Sequence, residues 1–306
     1  MGLAEAARVL GDRARRDVPL GPLTTYRVGG RAALLLEVRG GGDLALAGRA
    51  VQEGGIPVLV VGKGSNLLVS DAGFKGLAVV LGEPYATVTI DRCRVVVGGA
   101  AALPVVARRT AAASLTGFEW AVGVPGSVGG AVRMNAGGHG SDMSRCLAGV
   151  TLFDLHGRPA GAVTVITDRL DLGYRSSAVA PHHVVTAAEL VLRPGDRRTS
   201  EAEIAEIVQW RREHQPGGQN AGSVFTNPPG DSAGRLVDAV GLKGLRVGSA
   251  HVSTKHANFF QADEGGSADD VRALVLEVQR LVEDRMGVRL EPELRMIGFG
   301  SDEPER

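Results

Sequence analysis

A mixed α+β protein in two unequal parts is what this sequence predicts, on three observations. Strand-like apolar runs and helical patterns are interspersed over the first part of the chain, a stretch of about 200 residues and within the ordinary size of one domain. Glycine, 44 residues in all, is concentrated in two loops, where a missing Cβ lets backbone approach a ligand closely. A stretch rich in turn formers and charge, RPGDRRTS at 193–200, then separates this region from a smaller α/β pattern. The expected division is residues 1–198 and 199–306.

The elements follow in order. Residues 3–16 carry a helical apolar period, with Arg13, Arg15 and Arg16 expected near the helix end, where cations complement the dipole. Residues 33–38 (ALLLEV) read as a strand, GGGD at 40–43 as a turn with Asp43 as helix cap, and 44–53 as a short helix. IPVLVV at 56–61 is a buried strand, followed by the loop GKGSN and the apolar LLVS. ATVTI (86–90) and RVVV (94–97) suggest a hairpin, and a helix is expected near 101–114. Strand-like runs recur at 149–155, 162–167 and 184–193. In the second part a helix at about 200–213 places Ile204, Ile207 and Val208 on one face. A second, 267–286, opens on Ser267-Ala-Asp-Asp, repeats Val271, Leu274, Val275, Val278, Leu281 and Val282 at helical spacing, and ends at Gly287. VRLEPELRMI (288–297) reads as the final strand.

Composition narrows the function. Hydrophobic residues at 44% and charged residues at 22% describe a folded chain rather than a disordered one. Lys+Arg and Asp+Glu are both 34, so no net field points to nucleic acid or an anionic membrane. Cys93 and Cys146 are far apart and match no metal or redox spacing, and the seven histidines form no metal-site spacing, so no metal is expected. With no apolar stretch long enough to span a bilayer and no signal pattern, the expected location is the cytoplasm.

VVGKGSNLLVS (60–70) sets Gly62 and Gly64 directly after a buried strand, a position suited to an anion-binding nest of backbone N–H groups. It lacks the third glycine of a Rossmann fingerprint and the Gly-Lys-Ser/Thr of a Walker loop; alone, such a loop is as readily a turn. GVPGSVGGAVRMNAGGHG (123–140) carries seven glycines, Gly123, Gly126, Gly129, Gly130, Gly137, Gly138 and Gly140. Two such loops in one domain suit a long ligand with a pyrophosphate centre, such as a dinucleotide. Two further stretches invite a choice. NAGSVFTNPPG (220–230) is either a plain loop or a bend that presents Ser223 in a cleft. In 288–297, alternation puts Arg289, Glu291, Glu293 and Arg295 on one face, either a solvated ladder of charges or a cleft wall in which a carboxyl has its pKa raised.

These loops, GKGSNLLVSDAGFKGLAVVL and GVPGSVGGAVRMNAGG, resemble the flavin-binding loops of the FAD-linked vanillyl-alcohol-oxidase/PCMH type. Together with PLGPLTTYRVGGRA (19–32), LGYRSSAV (172–179), AGSVFTNP (221–228), AGRLVDAVGLKGLRVGSAHVSTKHANFF (233–260) and LEPELRMIG (290–298), they resemble the UDP-N-acetylenolpyruvoylglucosamine reductase family, in order from about residue 19 to 298. The resemblance is to the short type, without an inserted tyrosine-bearing loop. It implies an FAD-binding domain of two α+β lobes followed by a smaller α/β substrate-binding domain, FAD held non-covalently, and NADPH as reductant. The implied reaction reduces the enolpyruvyl ether of UDP-N-acetylglucosamine to UDP-N-acetylmuramate for peptidoglycan, and hence for cell-wall biogenesis, cell shape and cell division.

By the same resemblance Arg175, Ser223 and Glu293 are catalytic, with Arg175 and Glu293 stabilising an enolate and Ser223 giving the proton. Cofactor contacts are implied at Gly62, Lys63, Gly64, Ser65, Asn66, Leu67, Pro125, Gly126, Ser127, Gly129, Gly130, Asn135, Ala136 and Gly137, and UDP-sugar contacts at Tyr174, Arg212, Gln215, Asn227 and His256. No separate dinucleotide fold is offered for NADPH, so NADPH and the sugar nucleotide are expected to use one site in turn, and a monomer is favoured. The chain departs from the family at His139, where Tyr is common, at Asn220 (Ser) and at Thr226 (Lys or Arg). The alternatives are an FAD oxidoreductase acting on another substrate, often with flavin tethered to His or Cys, and a non-catalytic flavin-binding homologue.

Overall fold

The computed structural model describes residues 2–157 and 161–300. Three packed cores organise them. In the first lobe, strands Ala14–Pro19, Arg31–Val38, Phe74–Leu81 and Val58–Val61 lie side by side in that order, the first pair antiparallel and the others parallel. Helices α1 (Leu3–Leu10) and α2 (Gly41–Gly54) cover one face, where Ala6, Leu10, Leu44, Ala47 and Val51 pack on Leu34, Leu36, Leu77 and Val79. The other face buries Leu35, Leu59, Val61 and Ala78. A sheet covered on both faces explains the apolar runs of its inner strands, Leu34–Leu36 and Leu77–Leu81 among them, and of Val58–Val61.

The second lobe is a five-stranded antiparallel sheet, ordered Gly161–Ile166, Leu147–Asp154, His183–Val191, Arg94–Gly98, Val88–Asp91. Its core also takes in helices α3 (Leu103–Ala112), α4 (Val128–Arg133) and α5 (Arg197–His214), through Leu103, Val106, Val128, Val132, Ile204 and Ile207. Helix α5, which spans the expected 198/199 division, therefore shares the core of the lobe before it. The third core gathers helices α6 (Ala233–Ala239) and α7 (Ala268–Met286) around the small sheet 246–247, 250–252 and 260–262. Ser267 caps α7, its side chain accepting from the Asp270 N–H, and Gly287 ends it in the left-handed conformation, as its sequence predicts. The chain then returns to the first lobe, where Arg295–Ile297 pairs in parallel with Leu67–Val69.

Several local expectations are corrected. The first helix stops at Leu10, and Arg15 and Arg16 sit on the exposed edge strand Ala14–Pro19, where charge keeps an unpaired edge from recruiting another strand. Gly40, not Asp43, caps α2; Asp43 stands one turn in and reaches back to the Arg39 N–H at 2.8 Å. Phe74–Leu81, unassigned by pattern, is a central strand, and α4 forms inside the glycine-rich stretch. Val208 is exposed, unlike Ile204 and Ile207. Only Arg295–Ile297 of the expected 288–297 strand pairs as a strand; Pro292 makes a single antiparallel bridge to Phe225, and a bend at Leu294 separates it from that strand.

A carboxylate ties the first lobe to α7. Asp71 accepts from the Ser267 hydroxyl at 2.5 Å and from the Ala268 and Asp269 N–H groups at 3.1 Å, while Asp269 accepts from Ser70 Oγ and the Asp71 N–H at 3.2 Å. Replacing Asp71 by Ala strips acceptors from a helix start, an effect of about 1–2 kcal/mol. The expected result is a lower midpoint in a thermal melt followed by circular dichroism, and an unchanged midpoint excludes this clasp as a stabilising contact.

Candidate active site

The two glycine loops meet. A Cβ on Gly62 would lie 2.5 Å from Ser127 Oγ, and one on Gly126 would lie 3.4 Å from Ser65 Oγ. Ser127 is buried and caps α4, accepting from the Gly130 N–H at 3.4 Å. Gly64 is the position where only glycine serves: its φ is +59° and a Cβ would come within 2.1 Å of the Leu23 carbonyl oxygen. Between these loops and the third core runs a cavity of about 690 Å³, within the range of ligand pockets.

Gly62, Lys63, Gly64, Ser65, Asn66 and Leu67 line one wall, and Pro125, Gly126, Ser127, Gly129, Gly130, Ala136 and Gly137 another. The loops have no side chains at the positions where backbone must come close, which is what a dinucleotide with a central diphosphate requires; the cradle fits FAD. Asn135 alone of the expected cofactor contacts is not on the wall. It is buried, with Nδ2 donating to the Gly173 carbonyl at 2.9 Å and Oδ1 accepting from the Ser144 N–H at 3.0 Å. Its work in the fold is to anchor the turn that carries Arg175.

Arg175, Ser223 and Glu293, from three distant segments, all face this cavity. Backbone hydrogen bonds assemble them. The Glu293 N–H donates to the Val224 carbonyl at 2.8 Å, setting Glu293 beside the residue after Ser223. Asn66 Nδ2 donates to the Glu293 carbonyl at 3.0 Å, and the Arg295 N–H returns to the Asn66 carbonyl at 3.1 Å, so the first glycine loop is stitched to the same strand. Arg175 Nη2 donates to the Gly137 carbonyl at 3.1 Å, tying it to the second loop, and its Nε lies 3.0 Å from Glu293 Oε1. The four-charge face of 288–297 is thereby divided. Arg289 turns to solvent near Glu283 while Glu293 enters the cavity, where its side chain is 17% exposed. Burial pushes the Glu293 carboxyl above its ordinary value, against the opposing pull of Arg175.

Ser223 stands at the end of a built bend. Asn220 Oδ1 accepts from the Gly222 N–H at 3.0 Å, and Gly222 has φ of +75°, an Asx turn followed by a left-handed glycine. Ser223 then pairs across to Phe259. Among the described residues nothing in the protein takes its hydroxyl, which leaves that group for a ligand. Thr226 points elsewhere: its hydroxyl donates to the Glu291 carbonyl at 3.2 Å, and the cavity's positive charge comes from Lys63, Arg133, Arg175, Arg211 and Arg295 instead.

Of the expected sugar-nucleotide contacts, Gln215 lines the cavity. Tyr174 is 61% exposed outside it, with the Arg175 guanidinium 5.3 Å from its ring centroid. Asn227 Oδ1 accepts from the Ala233 N–H at 3.1 Å and so holds the start of α6. His256 packs against Phe259 with Nδ1 accepting from the Asn258 N–H, and burial lowers its pKa. Arg212 is exposed; its neighbour Arg211 lines the cavity. Helical spacing holds the signal for this, since 204, 207 and 211 fall on one face and 212 lies about 100° away. His139 lines the mouth, edge-on to Trp210 with ring centroids 5.3 Å apart, and its pKa is lowered by burial and by Arg211. Burial raises the Cys146 thiol to about 12, a state suited to packing rather than to nucleophilic attachment of a cofactor.

Comparison with known proteins matches both parts of this arrangement. A family model described as FAD binding domain matches residues 32–159, and one described as UDP-N-acetylenolpyruvoylglucosamine reductase, C-terminal domain, matches residues 213–297. The UDP-N-acetylenolpyruvoylglucosamine reductase of Rubrobacter xylanophilus is 40% identical over 287 residues, covering 93% of this chain and 95% of its own length. That of Anaeromyxobacter sp. (strain Fw109-5) is 42% identical over 296 residues, covering 96% and 92%. The crystal structure of UDP-N-acetylenolpyruvylglucosamine reductase from Thermus caldophilus matches with a TM-score of 0.80 at 36% identity, covering 94% of this chain and 99% of that one.

Proposed function

The chain belongs to the UDP-N-acetylenolpyruvoylglucosamine reductase family, and from that premise we propose how its residues divide the reaction. The protein is an FAD-containing, NADPH-dependent reductase that turns the enolpyruvyl ether of the UDP-sugar into the lactyl ether of UDP-N-acetylmuramate, a step of peptidoglycan synthesis. The observation that carries the division of roles is the convergence of Arg175, Ser223 and Glu293 on the cavity lined by both glycine loops.

The 62–67 and 125–137 segments would hold FAD, their glycine backbone lining the cavity where an anion-binding nest could meet its diphosphate. Held there, FAD would supply the hydride chemistry between NADPH and the β-carbon of the enol ether. Arg175 meets the substrate carboxylate, since its planar fork matches two oxygens. In doing so it draws away from Glu293, which then sits beside a like charge with less of its counter-charge. That favours the protonated carboxyl, which hydrogen-bonds the enolate oxygen as charge builds there. Ser223 gives its proton to the carbon next to the new C–H bond. Gln215 grips the sugar nucleotide from the cavity wall, together with Arg211 on the same wall; Tyr174, Arg212, Asn227 and His256 act from outside it or through the loops they hold.

NADPH and the UDP-sugar occupy this one site in turn. No helix among the described residues is long and apolar enough to cross a membrane. We place the enzyme in the cytoplasm, as a monomer. Turnover with NADPH and the enolpyruvyl UDP-sugar tests the whole reading. Parallel double-reciprocal lines are expected from alternating use of one site; intersecting lines would overturn it.

A further inference from the structure

Within the second glycine-rich stretch, the cavity wall carries a cation that none of the roles above uses. Arg133 is the last residue of α4 and lines the cavity. One of its donors is taken: Nη1 donates to the Val179 carbonyl at 3.1 Å. Among the described residues no carboxylate pairs with it and no other protein acceptor meets the rest of its guanidinium fork. The backbone around it is fastened, with Ser177 Oγ donating to the Arg133 carbonyl at 2.7 Å and accepting from the Val179 N–H at 3.3 Å. The guanidinium is held at the wall by that turn.

Its surroundings make the charge costly. Burial and the neighbouring charge of Arg295 lower its pKa to about 10, and it in turn bears on His182 and His183, whose pKa values are lowered first by burial. At neutral pH Arg133 stays charged, partly withdrawn from water, beside like charge. A cation in that position destabilises the fold unless something negative meets it, and the cavity is the side on which its remaining donors can be met. Nothing in the packing of α4 asks for arginine there, since Val128, Ala131 and Val132 make the contacts with the core.

We propose that Arg133 is a counter-charge to bound FAD, its remaining donors meeting a negative group of the cofactor. This rests on the flavin reading of the cavity. FAD carries negative charge in two places: permanently on its diphosphate, and on its pyrimidine ring once reduced. A charge-assisted hydrogen bond to either one is the shared chemistry.

Two measurements on Arg133→Met and Arg133→Lys enzyme separate the sources: the affinity for oxidised FAD by equilibrium dialysis, and the midpoint potential of the bound flavin by dye-coupled titration. If Arg133 meets the diphosphate, Arg133→Met weakens binding of oxidised FAD by about tenfold or more, the loss of one such bond, with the potential unchanged. If it meets the ring, oxidised FAD binds as before while the reduced form loses about tenfold, a fall of about 30 mV for a two-electron couple. In both cases Arg133→Lys keeps most of the effect of the native residue. An Arg133→Met enzyme with native affinity and native potential overturns the proposal. Wild-type protein that fails to bind FAD overturns instead the flavin reading beneath it. If circular dichroism shows that Arg133→Met does not fold, Arg133→Gln, which keeps polar donors without charge, is read by the same two measurements.

Discussion

Ser223→Ala is expected to leave reduction of the flavin by NADPH within about twofold of wild type while slowing its reoxidation by the enolpyruvyl substrate about 10²–10⁴-fold, the range for loss of a positioned general acid. Stopped-flow absorbance of the flavin reads the two half-reactions separately. The split follows from where the hydroxyl stands. Among the described residues the Ser223 side chain hydrogen-bonds to neither glycine loop, and its position is set by the Asn220–Gly222 turn and the pairing to Phe259. Removing one oxygen leaves that backbone intact, so hydride arrival at the flavin has no reason to change. A free serine is a weak acid, and it serves here because an enolate carbon is strongly basic. Reoxidation at the native rate would reduce Ser223 to a turn residue.

Glu293→Ala is expected to slow reoxidation about 10²–10³-fold, the effect of deleting one donor to a developing oxyanion, again with NADPH reduction preserved. The wild-type reoxidation rate should fall as pH rises through the raised Glu293 pKa, because the donor must carry its proton. Glu293→Gln, a neutral donor at any pH, should lose less rate than Ala and lose that pH limb. Stability has the same sign. The folded-state pKa is raised above the unfolded one, so the group's stabilising contribution is full below the ordinary carboxylate value and is lost as pH rises through the raised value. Over that interval wild type should lose thermal stability relative to Glu293→Gln. A wild-type profile that keeps rising with pH would sink the protonated-donor role.

How much of this was legible beforehand depended on how far each signal reaches along the chain. The α7 helix was readable at both ends, because a cap, an apolar stripe and a terminal glycine act over a few residues. The Phe74–Leu81 strand was not, since an apolar run flanked by glycine does not say which neighbours it joins. The helical pattern runs past Leu10 for a related reason: Ala14–Pro19 is a strand only because Arg31–Val38 offers it an edge. At the site, the glycine loops were visible as composition, and Glu293 as one choice between a solvated ladder and a cleft wall. Arg211 was missed beside Arg212, and Arg133 was hidden inside a stretch read only for its glycines.

By itself the sequence determined the local devices: two loops stripped of Cβ atoms, a bend that presents a serine, an alternating run that carries a carboxylate, and capped helices. Their chemistry depends on residues close in the chain, whose geometry sterics and short-range hydrogen bonds largely decide. Only the tertiary structure decided that Arg175 reaches Glu293, that Glu293 leaves the solvated face, and that Asn66 joins the first loop to the strand after α7. Those meetings are made by packing three cores against one another, and burial in the resulting cavity is also what raises the Glu293 pKa. No period in a linear sequence records which distant side chain will share a desolvated space.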